Sequence, residues 1–346
     1  MPYSVGAFIM FGLGSLPAGK LGDGWGRRPM MLVFFFGLGA SALLAALTQT
    51  VWQLAAALTL LGTFTAIYHP VGIPMLVQGA KKPGATIGVN GLAGNLGIAA
   101  AALLTGFLVQ AIGWRAAFAV PGAACIVLGW VFARCVPAEA EPPSKRSRPA
   151  AVQLNRTELA RVLMVMTLTS ATAGLLFNLA TNGNGPLLAE RFAGIVNDPA
   201  TLGMLLAAVY ALASVAQVVV GRLLDRVPLK RLQLVIVLMQ APLLALASQA
   251  QGWWLYAALL GVMVLIFGAI PFTDAVIVRY VDDRMRSRVA GLRLTLSLGF
   301  SSLAVWALGP VVKANGFGNL LMVMAGISLC TAAALLALPG ERRPAS

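Results

Sequence analysis

Two ionisable side chains, His69 and Asp274, lie within long apolar segments of this sequence. His69 precedes Pro70 and is twelve residues from Lys81, which at about 1.5 Å per helical residue is roughly 18 Å. Because imidazole changes charge near neutral pH, His69 is a candidate for binding a proton or a solute. The alternative is a neutral His69 that hydrogen-bonds a backbone carbonyl freed by Pro70.

Asp274 lies five residues before Arg279, which is only about 7.5 Å along a helix. Its carboxylate is a candidate proton-binding group near the end of an apolar segment. We favour pairing of Asp274 with Arg279 or Arg293, because an isolated carboxylate in apolar surroundings is costly.

Asparagine amides form a further set of candidates. Asn178 and Asn182 are four residues apart and therefore share a helix face. Because residues 183–186 include two glycines and a proline, we expect a broken helix there, with the amides lining a cavity. Interhelical hydrogen bonding is the alternative. Asn95 is the last candidate and lies among the regularly spaced glycines of residues 88–97, which indicate close helix packing.

Metal and nucleotide chemistry find little support in the sequence. It contains one histidine, which excludes a histidine-rich metal site, and we expect no cofactor or metal. Residues 14–20 fit the start of a phosphate-binding loop, but Leu21 stands where Ser or Thr must bind magnesium. A membrane-embedded enzyme would need catalytic groups clustered at one depth, whereas His69 and Asp274 lie at different depths.

The elements that position these residues are too apolar for a soluble domain. Hydrophobic residues make up 59% of the 346, charged residues 10%, and the mean hydropathy is +0.85. Soluble domains average about 45–50% apolar and about 25% charged residues. Since a membrane-spanning helix needs about 20 apolar residues, the sequence predicts an all-α integral membrane protein with about eleven spans. The spans lie near 3–18, 29–47, 52–78, 86–111, 115–135, 159–189, 200–221, 230–250, 253–279, 288–312 and 318–338.

A proline-rich, charged stretch divides the spans into two groups. We predict an N-terminal lobe of five spans at 1–136, a cytoplasmic linker at 137–158, a C-terminal lobe of six spans at 159–338 and a cytoplasmic tail at 339–346. Alternate loops carry 22 of the 25 Lys and Arg residues, and such basic loops face the cytoplasm. These loops account for most of the net charge of +14, so we expect no nucleic-acid partner. We expect a multi-pass protein of a bacterial inner membrane.

The two groups of spans repeat each other. The run GFLVQAIGW at Gly106 matches GPVVKANGF at Gly309, an offset of 203, and Asp23 matches Asp225 at an offset of 202. A parallel repeat of this kind is found in two-lobed transporters, which bind substrate at the repeat interface. The counterpart of the segment at 159–189, at an offset of 203 residues, would lie before residue 1. We therefore expect that the first copy lacks its first helix.

The run GKLGDGWGRRP at residues 19–29 resembles the signature of the major facilitator superfamily, G-x-L-a-D-r-x-G-R-[RK]. The run GRLLDRVPLKR at 221–231 resembles it in the second copy. The resemblance implies a two-lobe helical bundle, here twelve helices less the first, and a gate in which Asp23 holds the helix that starts near Arg288, with Arg27 or Arg28 as partners. Ordinary anchoring by basic loops is the alternative. The implied gating residues are Gly19, Asp23, Gly26, Arg27, Arg28, Gly221, Asp225, Arg226 and Lys230.

Two short motifs bear on the branch of the family. His69-Pro70, followed by GNLG at 94–97, is similar to the fosmidomycin-resistance type of drug exporter. Many proton-coupled drug exporters carry an Arg four residues before a glycine, whereas here Leu58 precedes Gly62. Their G-P-x-x-G-G signature is also missing from the fourth segment. Both departures put drug–proton antiport in doubt.

The resemblance implies a secondary active transporter that moves a small organic solute across the membrane by rocking of its two lobes. Export is the expected direction, protons are a candidate coupling ion, and the few central charges favour a neutral or amphipathic solute. A monomer embedded in the lipid bilayer is expected. A transport-inactive scaffold and a membrane-embedded enzyme are the alternatives.

Overall fold

The computed structural model describes residues 2–146 and 154–338, and the regular structure of these residues is helical. The predicted tail at 339–346 and residues 147–153 of the predicted linker lie outside the described residues. The α-helices are accompanied by three 3-10 turns, Pro2–Ser4, Pro143–Lys145 and Asp283–Met285, and by one π-helical turn, Tyr68–Gly72. These helices are α1 Val5–Gly24, α2 Arg27–Leu47, α3 Val51–Thr65, α4 Ile73–Leu76, α5 Pro83–Ala111, α6 Ala116–Cys135, α7 Arg156–Arg191, α8 Pro199–Leu224, α9 Leu229–Gln249, α10 Gly252–Tyr280 and α11 Arg286–Leu336.

Nine helical stretches within the described residues are long and apolar enough to cross a membrane. Helix α5 and the first part of α11 coincide with the two remaining predicted segments, so the predicted all-α membrane fold is confirmed. The last two predicted segments both belong to α11, which is interrupted at Gly316 with φ 75° and ψ 168°. Glycine takes this backbone conformation without a steric penalty, and the helix is kinked at this point.

Side chains just before two helices determine where those helices begin. Thr50 Oγ1 accepts a hydrogen bond from Gln53 N–H at 3.2 Å, and the Gln53 side chain accepts one from Thr50 N–H at 3.2 Å. Asn155 and Glu158 make the same reciprocal pair at 2.8 and 3.1 Å. Each capping box satisfies two backbone N–H groups that lack a partner within the helix, and so fixes the starts of α3 and α7.

The first of two compact units comprises the described residues of 1–79, 97–153 and 277–296. It contains all of α1 and the start of α11, although the sequence predicts that these helices belong to different lobes. Its core contains small and sulfur-bearing side chains together with branched ones. The buried core residues are Ala18, Met30, Met31, Ile67 and Val71.

The second compact unit comprises the described residues of 80–96, 154–276 and 297–338. It groups the start of α5 with helices α7 to α10 and most of α11. Its core is larger and mostly aliphatic. Fully buried members include Val209, Leu244, Leu255, Leu259, Met263 and Met324. The predicted lobes at 1–136 and 159–338 thus remain a prediction, because the start of one helix from each is grouped with the other.

Helix α7 corrects one expectation. It runs from Arg156 to Arg191, and Pro186 lies inside it, so the predicted break at residues 183–186 is wrong. Asn184 is only 2% exposed, and its Nδ2 group lies 3.4 Å from Tyr210 Oη and 3.2 Å from Met263 Sδ. Packing of this turn against the neighbouring helices overrides the low helix propensity of its glycines and proline.

Substitution of Gly62 by Ala tests the packing of α1 on α3. A Cβ atom at Gly62 would overlap the backbone carbonyl of Ala7, which cannot move as a flexible side chain would. We expect the purified protein to lose about 1–3 kcal/mol of stability, measured as a lower thermal melting temperature in detergent. Gly106→Ala is the matched control, because a Cβ there meets nothing within 4 Å, and a change from Gly to Ala inside a helix should not lower the melting temperature. Equal melting of both variants would contradict the close α1–α3 contact.

Candidate functional site

Asp23 lies at the end of α1, where its carboxylate accepts two backbone hydrogen bonds from the start of α11. Ser287 N–H donates to Oδ1 at 3.1 Å, and Arg288 N–H donates to Oδ2 at 2.8 Å. The first N–H groups of a helix lack intrahelical partners, and the helix dipole makes this end positive. Asp23 is 0% exposed, so these donors replace the water that its charge would otherwise need. The contact expected between Asp23 and this helix is present.

Arg27 is a second fully buried charge at this place. Its Nη2 lies 3.5 Å from Asp23 Oδ1, and its Nη1 donates to Asp283 Oδ1 at 2.8 Å. It also donates to the Asp283 carbonyl at 2.8 Å and to the Ser287 hydroxyl at 3.2 Å. The planar guanidinium has five N–H donors, which suits several acceptors in one plane. Arg27 therefore ties the start of α2 to the turn that precedes α11.

Asp283 lies in the turn before α11 and is shared by three arginines. Besides Arg27, Arg286 Nη1 lies 3.4 Å from Oδ1 and Arg146 Nη1 lies 3.5 Å from Oδ2. Burial raises the pKa of the Asp283 carboxyl, but the guanidinium groups of Arg27, Arg286 and Arg146 outweigh this and hold the pKa below its ordinary value. Asp283 is therefore a stable anion at neutral pH.

Glycines allow the backbones of α1 and α11 to approach each other. A Cβ atom at Gly19 would overlap the Ser287 carbonyl, and one at Gly291 would overlap the Ser15 carbonyl. Gly26, between α1 and α2, has φ 128°, which side chains other than glycine rarely allow. Gly19 and Gly291 thus bring the N–H groups of α11 within reach of Asp23.

The second copy of the motif makes an equivalent contact with α5. Asp225, directly after α8, accepts hydrogen bonds from Gly84 N–H and Ala85 N–H, both at 2.8 Å. At the repeat offset of 203 residues, Gly84 and Ala85 correspond to Ser287 and Arg288, which donate to Asp23. Gly221 lies against Gly84, as Gly19 lies against Ser287. The repeat in the sequence is therefore a repeat of one contact, which we name the carboxylate cap.

Arg28 and Lys230 also occupy equivalent positions and make equivalent contacts. Arg28 donates to the carbonyls of Ala133 and Val136, both at 2.7 Å, at the end of α6. Lys230 Nζ donates to the carbonyls of Leu336 and Leu338 at 2.7 and 2.6 Å, at the end of α11. A cation at a helix C-terminus satisfies carbonyls that lack partners and opposes the negative end of the dipole. The expected partner of Asp23 is thus Arg27, and Arg28 has a different role.

The two copies differ in their charged surroundings. The position equivalent to Arg27 is Leu229, which is 1% exposed, and the position equivalent to Asp283 is Ala80. Arg226 in the second copy is exposed, and its backbone N–H bonds to Leu223. Within the part of the chain that the structure describes, the buried ion-pair network is therefore found in the first copy and not in the second. Asp283 was missed by the sequence analysis, although it lies in the arginine-rich loop between two apolar segments.

The start of the predicted linker packs against the same network. Glu139 Oε2 accepts a hydrogen bond from Arg28 N–H at 2.9 Å, at the start of α2, and Arg146 Nη2 lies 2.6 Å from Glu139 Oε1. Arg284 Nε donates to the Arg146 carbonyl at 2.6 Å. The linker thus joins the start of α2 to the turn before α11.

His69 lies in the π-helical turn Tyr68–Gly72 and is partly buried. Its ring centroid is 6.1 Å from Phe11 and 5.5 Å from Tyr68. Single π-helical turns within helices are frequent at functional sites because they reorient side chains and free backbone groups. His69 therefore stays a candidate, with an aromatic environment on two sides.

The candidate amides make mostly local contacts. Asn178 Nδ2 donates to Gly174 O and Asn182 Nδ2 to Asn178 O, both at 2.9 Å, within α7. Asn95 differs, since its Nδ2 donates to Ser214 Oγ at 3.1 Å and joins α5 to α8. Asp274 is partly buried on α10. Interhelical bonding thus describes Asn95, whereas Asn178 and Asn182 bond to their own helix.

A helical membrane protein built from two repeats, each with the same helix-capping carboxylate, has the architecture of a two-lobed transporter. Residues 3–181, more than half of the chain, match the family model described as Major Facilitator Superfamily, and the chain belongs to this family of membrane transporters. The predicted class of protein and its location in the cell membrane are confirmed. The missing first helix stays a prediction.

Curated relatives and solved structures agree with this family. The multidrug resistance protein MdtG of Escherichia coli, in strains that include UMN026 and K12, is 24% identical over 342 residues, with 94% of this chain and 80% of the relative covered. The Escherichia coli fucose:proton symporter FucP has a TM-score of 0.76 at 12% identity, covering 97% of this chain and 89% of that one. The human organic anion transporter MFSD10 has a TM-score of 0.77 at 17% identity, covering 96% and 82%. These structures share the fold.

The lowered pKa of Asp283 predicts a pH-dependent contribution to stability. Its anion is stabilised by folding, so the contribution is present above the pKa of the unfolded carboxyl, about 3.9, and is lost as the pH falls through the lower folded pKa. We expect Asp283→Asn to melt at a lower temperature than the parent chain at pH 7. This difference in melting temperature should become smaller below about pH 4. Glu190→Gln, at an ion pair whose carboxylate is 54% exposed, is the control. A difference that is independent of pH would argue against the ion-pair network.

Proposed function

We propose that this transporter is a secondary active one, which exports a small organic solute by alternating access. The observation that carries the proposal is the duplicated carboxylate cap. Asp23 at the start of α11 and Asp225 at the start of α5 are the contacts expected of two equivalent latches on the side of the basic loops. In the proposal, both caps hold the cytoplasmic side closed and separate when that side opens.

The strength of such caps suits a gate that must open and close. Hydrogen bonds to a charged group contribute about 1.5–3 kcal/mol each when net solvation is included. Two such bonds per cap give a free energy of a few kcal/mol, which is comparable to the differences between conformations of allosteric proteins. Binding of a solute or an ion could therefore shift the population of closed and open states.

The proposed solute path uses the candidates from the sequence, His69, Asn95, Asn178, Asn182 and Asp274. Two of them, Asn178 and Asn182, bond within their own helix, and so an amide carbonyl of each is open to a polar ligand. In the proposal, His69 binds a proton, and the solute is neutral or amphipathic. The multidrug resistance proteins among the relatives favour export. The proton symporter FucP among the solved structures is in keeping with a proton as the coupling ion.

Loss of a carboxylate cap should impair transport. Asp23→Asn removes the negative charge and leaves one side-chain oxygen for two N–H donors. We expect its solute flux in proteoliposomes to fall by about tenfold or more, the equivalent of 1.4 kcal/mol, and Asp225→Asn to act in the same direction. The solute would first be found by screening labelled neutral and amphipathic compounds against the parent chain.

Accessibility of a buried position separates gating from folding. Ala290 is 3% exposed, four residues into α11, and Ala290→Cys can be introduced after the three native cysteines are replaced by serine. We expect an impermeant maleimide applied to the basic side to label this cysteine faster in Asp23→Asn than in the parent. Glu190→Gln is the control and should not change labelling. Equal labelling in parent and Asp23→Asn, with both correctly folded, would contradict the gate.

His69→Ala tests the proposed proton site. We expect flux driven by a pH gradient to be lost, while exchange of labelled for unlabelled solute without a gradient is retained, because exchange needs no net proton movement. Phe11→Leu, which changes a ring neighbour of His69 without touching the imidazole, is the control. Unchanged proton-dependent flux in His69→Ala would remove this residue from the mechanism.

A transport-inactive scaffold is the remaining alternative. It predicts that no member of the solute panel moves across the membrane with the parent chain, and that Asp23→Asn changes cysteine labelling without any flux to alter. Sustained flux above that of empty liposomes would exclude it.

A further inference from the structure

A small pocket with both apolar and polar lining residues lies inside the second compact unit, among α7, α9, α10 and α11. It encloses about 20 Å³, which is room for one water-sized molecule or ion. None of the described residues that line it carries an ionisable side chain. Six of them present hydroxyl or amide groups: Thr169, Thr172, Gln233, Gln240, Thr273 and Thr331.

Each of the four threonine hydroxyls already donates its proton in a hydrogen bond to a backbone carbonyl. Thr169 donates to Met166 O at 3.1 Å, and Thr172 donates to Leu168 O at 3.0 Å. The remaining two do the same on their own helices, with Thr273 bonded to Ile270 O at 3.2 Å and Thr331 to Ile327 O at 2.7 Å. A hydroxyl oxygen that donates its proton still offers lone pairs. The threonines therefore present acceptors, and not donors, to the pocket.

The two glutamines complete this arrangement. Gln240, which is 2% exposed, is held by its own bonds, since Nε2 donates to Leu265 O at 3.3 Å and Oε1 accepts from Ser328 at 3.2 Å. Gln233 is 5% exposed, and its Oε1 is buried without a hydrogen-bond partner among the described residues. A buried amide oxygen without a partner is costly, which indicates that a ligand satisfies it.

We propose that this pocket binds a single monovalent metal cation, Na⁺ being the form tested, through the oxygens of Gln233 and the four threonines. One water molecule has two protons and could donate to Gln233 Oε1 and to one threonine oxygen, whereas a cation attracts all five oxygens at once. The lack of an ionisable group among the lining residues excludes a proton-binding site. Divalent cations favour carboxylate ligands, which the described lining also lacks.

The site goes beyond the proposed function, because it concerns ion binding and not solute movement. It lies within one compact unit and uses none of the capping or solute-path residues. Its test is therefore a binding measurement on the intact chain, and its outcome is independent of whether the carboxylate caps act as a gate.

The experiment compares NaCl with choline chloride at equal ionic strength, using the purified full chain in detergent. We expect the melting temperature to rise with NaCl between about 1 and 300 mM and to saturate, because only the folded state binds the ion. Equilibrium binding of ²²Na⁺ should reach about one ion per chain. Choline, which is too large for the pocket, should have no such effect.

Two variants and one control locate the effect. Gln233→Leu and Thr331→Val each remove one oxygen with little change in volume, and each should weaken Na⁺ binding by about tenfold or more. Thr167→Val makes the same chemical change on α7 outside the pocket, where Thr167 donates to Leu163 O at 2.8 Å, and should leave binding unchanged. Absence of a Na⁺-specific shift in the parent chain would overturn the proposal, as would full retention of binding in both pocket variants. A change in melting that is the same in NaCl and choline would mean that the pocket holds water only, and would also overturn it.

Discussion

The backbone N–H groups at the starts of α5 and α11, which have no partner within their own helix, are the constraint on which the rest of the site depends. At the buried start of α11, water cannot supply the missing acceptors, and at the more exposed start of α5 a carboxylate takes the same role. Asp225 and Asp23 supply them, each with two oxygens for two donors at 2.8–3.1 Å. The glycines beside each carboxylate follow from the same need, because a larger residue would hold the backbones too far apart.

The asymmetry between the copies indicates what the ion-pair network contributes. The second cap has Leu229 and Ala80 where the first has Arg27 and Asp283, yet its hydrogen bonds are equally short. The network is therefore not needed to form a cap. Buried ion pairs often contribute little net stability, since desolvation offsets the attraction, but they disfavour any register in which a charge is left unpaired. We infer that Arg27 and Asp283 define the register of α11 against α1 and α2, together with the linker.

The fold could be predicted from the sequence, and the contact of Asp23 with α11 was implied by the resemblance to the family motif, whereas the partner of Asp225 in α5 was not predicted. The spans follow from apolar segments of the right length, and the internal offset of 202–203 residues relates Asp23 to Asp225 by residue spacing alone. The partners Asp283, Glu139 and Arg146 could not be predicted, because they are 111 to 256 residues from Arg27 and Arg28 and carry no periodic signal. The prediction of a break in α7 was wrong, because packing around Asn184 compensates for the low helix propensity of the nearby glycines and proline.

The threonine pocket lay beyond sequence analysis for a related reason. Thr and Gln residues are common in apolar helices. The threonines of this pocket are distinguished by the direction in which each hydroxyl proton points. That direction is set by hydrogen bonds within each helix, while the convergence of Thr169, Thr273 and Thr331 is set by the packing of three helices. Local bonding turns each hydroxyl into an acceptor, and tertiary packing brings the acceptors together. A cation site built in this way needs no charged ligand, and for that reason it leaves no trace in the distribution of charged residues.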